Sequence, residues 1–356
     1  MQRRVTRPVR IGNFMIGGNH PIRVQSMTNT PTEDVSATVH QIHQLVDAGC
    51  EIVRIAVPNL NSVTALAEIR KQSTNIPLVA DVHFSTTIAL ACLPFVDKVR
   101  INPGNFHPNR DVLKKLFTRA KQEAKAIRLG ANWGSIDRML LAQWGHSTEA
   151  VYQSFLPFLE AAHAVNFQNL VLSFKASNVP MTVTIIRQLV EKLDAAGYNF
   201  PFHLGVTEAG NGAMGRIKGA IGIGSLLLDG IGDTLRVSLT ENPVQEIAVA
   251  YDILQATQRR ISQTEYIACP SCSRTSFDIQ RVLGELKAQT ATLKGMKIAV
   301  MGCVVNGLGE LADADFGCVG AGLGHVNLYA HGRCVKTNII EADAVRELLQ
   351  IIVTHE

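Results

Sequence analysis

The chain has 356 residues, 46% of them hydrophobic, and a formal charge of +4, so it carries enough apolar material for a large core and is not a disordered chain. No apolar run approaches the roughly 20 residues of a membrane helix, and the opening "MQRRVTRPVR" lacks the apolar core of a secretory signal, which predicts a soluble, cytoplasmic protein. Beyond those arginines no basic run is interleaved with aromatics, which argues against nucleic acid and leaves a small anion as a suitable partner.

Taken in chain order, "VRIGNFMIGG" from Val9 reads as a short hairpin with glycine turns, able to plug the N-terminal end of a barrel. Four β-branched runs follow: "PIRVQSMT" from Pro21, "EIVRIAV" from Glu51, "IPLVADVH" from Ile76 and "DKVRINPG" from Asp97. Four more are "AIRLGAN" from Ala126, "NLVLSFKAS" from Asn169, "PFHLGVTEAG" from Pro201 and "DTLRVSLT" from Asp233. Segments such as "TEDVSATVHQIHQLVDAG" lie between them with apolar residues at helical spacing. Eight strands alternating with helices over about 240 residues predict an α/β fold, a (β/α)8 TIM barrel; a doubly wound open sheet uses the same alternation, and the number eight favours closure.

Periodicity changes after "NPVQEIAVAYDILQATQ", which puts a boundary near 258, with a barrel domain over 1–258 and a smaller α+β domain over 259–356. The latter reads as a helix ("SFDIQRVLGELKAQTATL"), a buried strand ("KIAVMG"), a Gly-rich region, a strand ("HVNLYAH") and a final helix. "GAGLG" from Gly320 lacks the context of a dinucleotide fingerprint and reads as a tight loop.

Seven cysteines, at 50, 92, 269, 272, 303, 318 and 334, are an odd number scattered through a large chain, which favours reduced thiols over a disulfide framework. "EYIACPSCSRT" sets Cys269 and Cys272 two residues apart after an apolar stretch, and Cys303 follows a buried strand. A structural zinc would want a fourth ligand, which Cys318 or Cys334 could supply, though neither forms a second close pair. A thioredoxin-type redox pair would need no third cysteine. Three thiolates with nearby glycines suit an iron–sulfur cluster whose fourth iron takes another ligand. Glu310 is a candidate for that place, although by spacing alone a solvated carboxylate at a helix start is the favoured reading.

The segments "CPSCSRT", "GCVVNGLGE" and "VQSMTNT" resemble the bacterial 4-hydroxy-3-methylbut-2-enyl diphosphate synthases of the non-mevalonate isoprenoid pathway. "VADVHF", "RINPGN", "FKAS", "HLGVTEAG" and "GIGDTLRVSL" extend the likeness over nearly the whole chain. The resemblance implies a barrel that binds 2-C-methyl-D-erythritol 2,4-cyclodiphosphate and a C-terminal domain with one 4Fe-4S cluster per chain, held by Cys269, Cys272, Cys303 and Glu310. It further implies reductive ring opening and dehydration with two electrons from reduced flavodoxin or ferredoxin, in a head-to-tail homodimer whose cluster domains cover the partner's barrel mouth. One departure stands out: Leu308 occupies the place of the proline in the family's NGPGE, which restores an N–H and frees φ in the loop expected to present Glu310.

Residues at the C-terminal ends of barrel strands line the mouth. Arg54, Arg100 and Arg128 are expected to end strands two, four and five, with Lys175 ending the sixth and Arg236 on the eighth. Flanked by Asn102, Asn132 and Ser238, these cations form the expected diphosphate site, because guanidinium forks match phosphate oxygens and five cations would repel one another without an anion. Glu208, at the end of strand seven, and Asp81, ending strand three, are the candidate proton carriers. For Asp81 a purely structural pairing with a barrel arginine is equally consistent, and His83 reads as a polar core residue more readily than a catalyst. Ser26, Thr28 and Asn29 are expected to shape the mouth. A phosphate-binding barrel with a structural zinc is the alternative function, and an aldolase-type barrel using Lys175 as a Schiff base is a weaker third.

Overall fold

The computed structural model describes residues 2–106 and 109–355, and the chain divides into two compact units, Met1–Arg260 and Ile261–Glu356. The first opens with an antiparallel hairpin, β1 (Val9–Ile11) and β2 (Phe14–Ile16), in which Val9 faces Ile16. Its barrel strands are β3 (Arg23–Met27), β4 (Ile52–Ala56), β5 (Leu78–Asp81), β6 (Lys98–Ile101), β7 (Ala126–Asn132), β8 (Leu170–Lys175), β9 (His203–Leu204) and β10 (Thr234–Leu235). The intervening helices are α1 (Val35–Asp47), α2 (Leu60–Gln72), α3 (Thr86–Cys92), α4 (Arg110–Gln122), α5 (Arg138–Trp144), α6 (Thr148–Ala164), α7 (Val179–Ala195), α8 (Gly212–Leu228) and α9 (Val244–Ala256). Several start where the sequence offers a cap: the side chains of Asp34, Asn59 and Asn178 accept from the amides of Ala37, Ser62 and Met181, satisfying donors the helix cannot.

All eight strands pair in parallel, in the order β8-β7-β6-β5-β4-β3-β10-β9, and a bridge between Leu172 and Phe202 joins the two ends, so the sheet closes as expected. Two of the ladders are shorter than their apolar runs. β9 and β10 hold two residues each, and the chain leaves the ladder at Gly205, where an added Cβ would lie 2.5 Å from Lys175 Nζ and 2.8 Å from the Arg236 carbonyl oxygen. The hairpin does plug one end: Val9, Ile11 and Ile16 pack with Ile52, Val79, Ala126 and Val171, all fully buried. These four strand residues form an apolar floor, and because side chains alternate along a strand, the inward positions two residues further on are Arg54, Asp81, Arg128 and Ser173.

The second unit is a five-stranded sheet in sequence order: β11 (Glu265–Ala268), β12 (Lys297–Met301), β13 (Phe316–Gly322), β14 (His325–Ala330) and β15 (Arg333–Ile340), with the first three parallel and the last two antiparallel. Its helices are α10 (Ile279–Thr290), α11 (Val304–Leu311) and α12 (Ala344–His355); Leu286 of α10 and Leu348 of α12 share a core with Ile298, Val300 and Leu328 of the sheet. Two expectations are corrected here. The Gly-rich region is strand β13, whose glycines permit close backbone approach: a Cβ on Gly320 would lie 2.2 Å from the Gly302 carbonyl oxygen. The segment expected to present Glu310 as a loop is helix α11.

Candidate active site

Within the barrel, inward-facing residues of neighbouring strands bring the predicted cations together. A cavity of about 150 Å³ is lined by Arg54, Arg100, Arg128, Asn132, Lys175, Arg236 and Ser238 of the expected set, with Asp81 and His83. Arg54, Arg100 and Arg128 do not end their strands, contrary to the expected placement; they lie within β4, β6 and β7 and are 8%, 4% and 1% exposed. The charges are therefore held inside the barrel wall, where water screens them least.

Asp81 answers two of these charges. Its Oδ1 accepts from Arg100 Nη1 at 2.8 Å, and its Oδ2 lies 3.6 Å from Arg54 Nε. Burial by itself would raise the Asp81 carboxyl, but Arg54 and Arg100, aided by His83, outweigh it and hold the group well below the usual carboxylate range. Asp81 is thus a permanent anion and a poor acid. Burial also brings the Arg54 guanidinium down to about 10, against the pull of Asp81.

Glu246, on α9 and 2% exposed, holds Arg236 from behind. Arg236 Nε donates to its Oε2 and Nη2 to its Oε1, each at 3.0 Å, while Ser26 Oγ and the Leu239 amide supply two further hydrogen bonds at 2.9 and 3.1 Å. With the Nε–Nη2 edge engaged, the Nη1–Nη2 end of the fork remains for a ligand. Met27 Sδ accepts from Arg54 Nε at 3.1 Å, bringing these two arginines to one thioether, with Arg236 Nη1 at 3.6 Å. Glycines make the room: a Cβ on Gly130 would come within 2.8 Å of Arg100 Nε.

No such partner meets Arg128. Its Nε and Nη1 are buried without a hydrogen-bond acceptor among the described residues, and Arg100 Nε is in the same condition. Burial, reinforced by the other arginines, pushes Arg128 and Lys175 well below their ordinary values. Buried donors left without acceptors are costly, and an anion supplies the acceptors this cavity lacks.

In the second unit, β11 pairs with β12 so that Ala268 faces Val300, which sets the Cys269 segment beside the chain leading to Cys303. The Gly302 amide donates to Cys269 Sγ at 3.2 Å. Cys303 is the N-cap residue of α11. Cys269 and Cys303 are partly exposed and Cys272 exposed; Cys318 is buried in the core, where burial pushes its thiol up to about 12, and Cys50 and Cys92 in the barrel unit are raised to the same level. Glu310 is exposed on the last turn of α11, seven residues after Cys303, which sets it on the same side of the helix about 10 Å along its axis. Among the described residues no three acidic, cysteine or histidine side chains gather closely enough for one metal ion. A cubane does not require that, since each thiolate binds a different iron.

The chain matches the GcpE TIM-barrel domain over residues 6–251 and the GcpE protein C-terminal domain over 265–354. It belongs to the GcpE family. Among curated relatives of this GcpE chain, the proteins named 4-hydroxy-3-methylbut-2-en-1-yl diphosphate synthase (ferredoxin) from Microcystis aeruginosa and Synechocystis sp. are 46% and 45% identical to it. Each alignment covers 99% of this chain, with 93% and 94% of the respective relative. Among solved structures, a type I 3-dehydroquinate dehydratase from Clostridium difficile is similar with a TM-score of 0.52 at 13% identity, covering 71% of this chain and 98% of that one; this shows the barrel fold alone.

Two predicted residues of the GcpE barrel lie apart from the cavity lining. Asn102 is buried, but its side chain accepts from the Gly104 amide and donates to Ser135 Oγ, so it shapes the turn after β6. Glu208 lies four residues beyond β9, exposed, at a left-handed φ of 55°. Ser26 serves Glu246, Thr28 is buried, and Asn29 pairs with Gln41 of α1. Sequence reading missed Glu246, Met27, Ser173 and Thr207, the last two of which line the cavity. A signal for Glu246 existed: it falls on the buried stripe of α9 with Ile247, Ala250, Ile253 and Leu254.

Proposed function

We propose that this GcpE-family chain performs the reaction its curated relatives are named for, converting 2-C-methyl-D-erythritol 2,4-cyclodiphosphate to 4-hydroxy-3-methylbut-2-enyl diphosphate in the cytoplasm. The reaction takes up two electrons and two protons and releases one water. The observation that carries the reading is the set of acceptor-less buried donors on Arg128 and Arg100, within a cavity also lined by Arg54, Lys175 and Arg236. These five cations, with Asn132 and Ser238, grip the diphosphate. Asp81, kept ionised by the arginines it touches, positions Arg54 and Arg100; Glu208, outside that cation cluster, is the carboxylate left to carry a proton.

The donor chemistry of the second unit fits a 4Fe-4S cluster on Cys269, Cys272 and Cys303, with Glu310 as the fourth ligand: three accessible thiols on adjoining segments, one at a helix N-terminus. Bound there, one cluster per chain would supply the electrons, drawn from a reduced ferredoxin or flavodoxin. Protein prepared without oxygen should hold about four irons and four sulfides per chain and turn over the cyclic diphosphate with reduced ferredoxin. A colourless protein with one zinc and no turnover would instead support the phosphate-binding barrel with structural zinc. The head-to-tail homodimer, in which one chain's cluster unit covers the partner's barrel mouth, predicts that a fully active monomer at micromolar concentration will not be found.

A further inference from the structure

The polar interior of the barrel does not balance its charge by itself. Lys175, 7% exposed, lines the cavity at the end of β8, and the groups facing it from the surrounding strands are overwhelmingly positive. They are Arg54 of β4, Arg100 of β6, Arg128 of β7 and Arg236 beyond β10, against Asp81 of β5, with His83 beside it; Lys98 of β6 is bonded to Gln25, burial and the cations push the His203 imidazole of β9 well below its ordinary value, and Glu246 is already engaged by Arg236. Gly205 packs against the end of the Lys175 side chain, where an added Cβ would lie 2.5 Å from Nζ. Of the cations lining the cavity only lysine readily sheds its proton, since a guanidinium stays charged.

We propose, on the phosphate-binding reading above, that Lys175 stands neutral in the free protein and takes up a proton as the phosphorylated ligand binds, so that the anion and one proton enter the site together. The burial and cationic surroundings that lower the Lys175 amine support this. A phosphate placed among the arginines reverses the sign of the local field and restores the ammonium. The reaction consumes protons, and this arrangement delivers one to the cavity with every substrate. The sign of the linkage is fixed. Between the lowered pKa of the free protein and the higher one of the complex, affinity weakens about tenfold for each unit of rising pH.

The probe is cyclic trimetaphosphate, whose oxygens do not titrate near neutral pH, bound to the cluster-loaded protein without reductant. Its binding enthalpy is measured calorimetrically in buffers of different ionisation enthalpy. The expected slope corresponds to about one proton taken up per chain in the wild type and to none in Lys175→Met or Lys175→Arg, of which the arginine variant still binds. Binding with no buffer dependence in the wild type, or the same uptake in Lys175→Met, overturns the proposal and leaves the anion site standing. Absence of binding overturns both.

Discussion

Replacing Glu246 by Gln tests the charge arrangement of the barrel most directly. The carboxylate accepts four hydrogen bonds, from Arg236 Nε and Nη2, Ser26 Oγ and the Leu239 amide. An amide oxygen in the Oε1 position keeps the Nη2 and Leu239 bonds, and Ser26 can turn to accept from the new NH2 group, but Arg236 Nε–H then faces a donor. The flipped amide loses both hydrogen bonds that Oε1 accepts, from Arg236 Nη2 and the Leu239 amide, and is worse. One charge-assisted bond is therefore lost, about 1.5–3 kcal/mol, and Arg236 remains charged in a cavity already short of anions. Outright removal of one partner of a buried pair costs about 3–5 kcal/mol, so the isosteric change should cost about 2–3 kcal/mol. For a unit of 260 residues, unfolding entropy makes this a fall of about 4–6 °C in Tm. Calorimetric melting of the barrel should show that deficit, and saturating trimetaphosphate should recover part of it, because phosphate oxygens offer Arg236 the acceptors that Gln cannot. A barrel that melts with the wild type, or a deficit untouched by the anion, would refute the reasoning.

Gly205→Ala should lower anion affinity at least about tenfold, because the Arg236 carbonyl 2.8 Å from the new Cβ cannot move aside as Lys175 Nζ can; unchanged titrations would show that the close packing is irrelevant. Ile16→Ala empties part of the apolar floor and should cost about 2–5 kcal/mol in denaturant melts while leaving anion affinity intact. Glu208→Gln should retain iron and sulfide but stop turnover, and normal turnover would remove this carboxylate from the mechanism. Cys303→Ser should lose the cluster, read from iron content and visible absorption, with the barrel's affinity for trimetaphosphate unchanged.

Much of this architecture was legible in the linear order of residues. Eight β-branched runs separated by helical periodicity fix the number and direction of strands, since parallel neighbours need long crossovers, and "VRIGNFMIGG" announced the plug through its glycine turns. The cysteine pair and Cys303 were visible as spacing, and the arginines as polar breaks in apolar runs. Strand β13 was hidden because its glycines signal a loop unless one knows that another backbone lies against them. Helix α11 was hidden for the same reason, its two internal glycines lowering the apparent helix propensity of "VVNGLGEL".

What the sequence determined by itself, then, is everything that depends on neighbours along the chain: periodicity, caps, turns, and the supply of cations and thiols. What only the tertiary structure decided is how those charges are matched. Asp81 meets Arg100 across adjoining strands, Glu246 reaches Arg236 from a helix outside the sheet, and Arg128 Nε and Nη1 are left without an acceptor among the described residues. Electrostatic energy depends on separations in space and on burial, and neither can be read from separations in sequence.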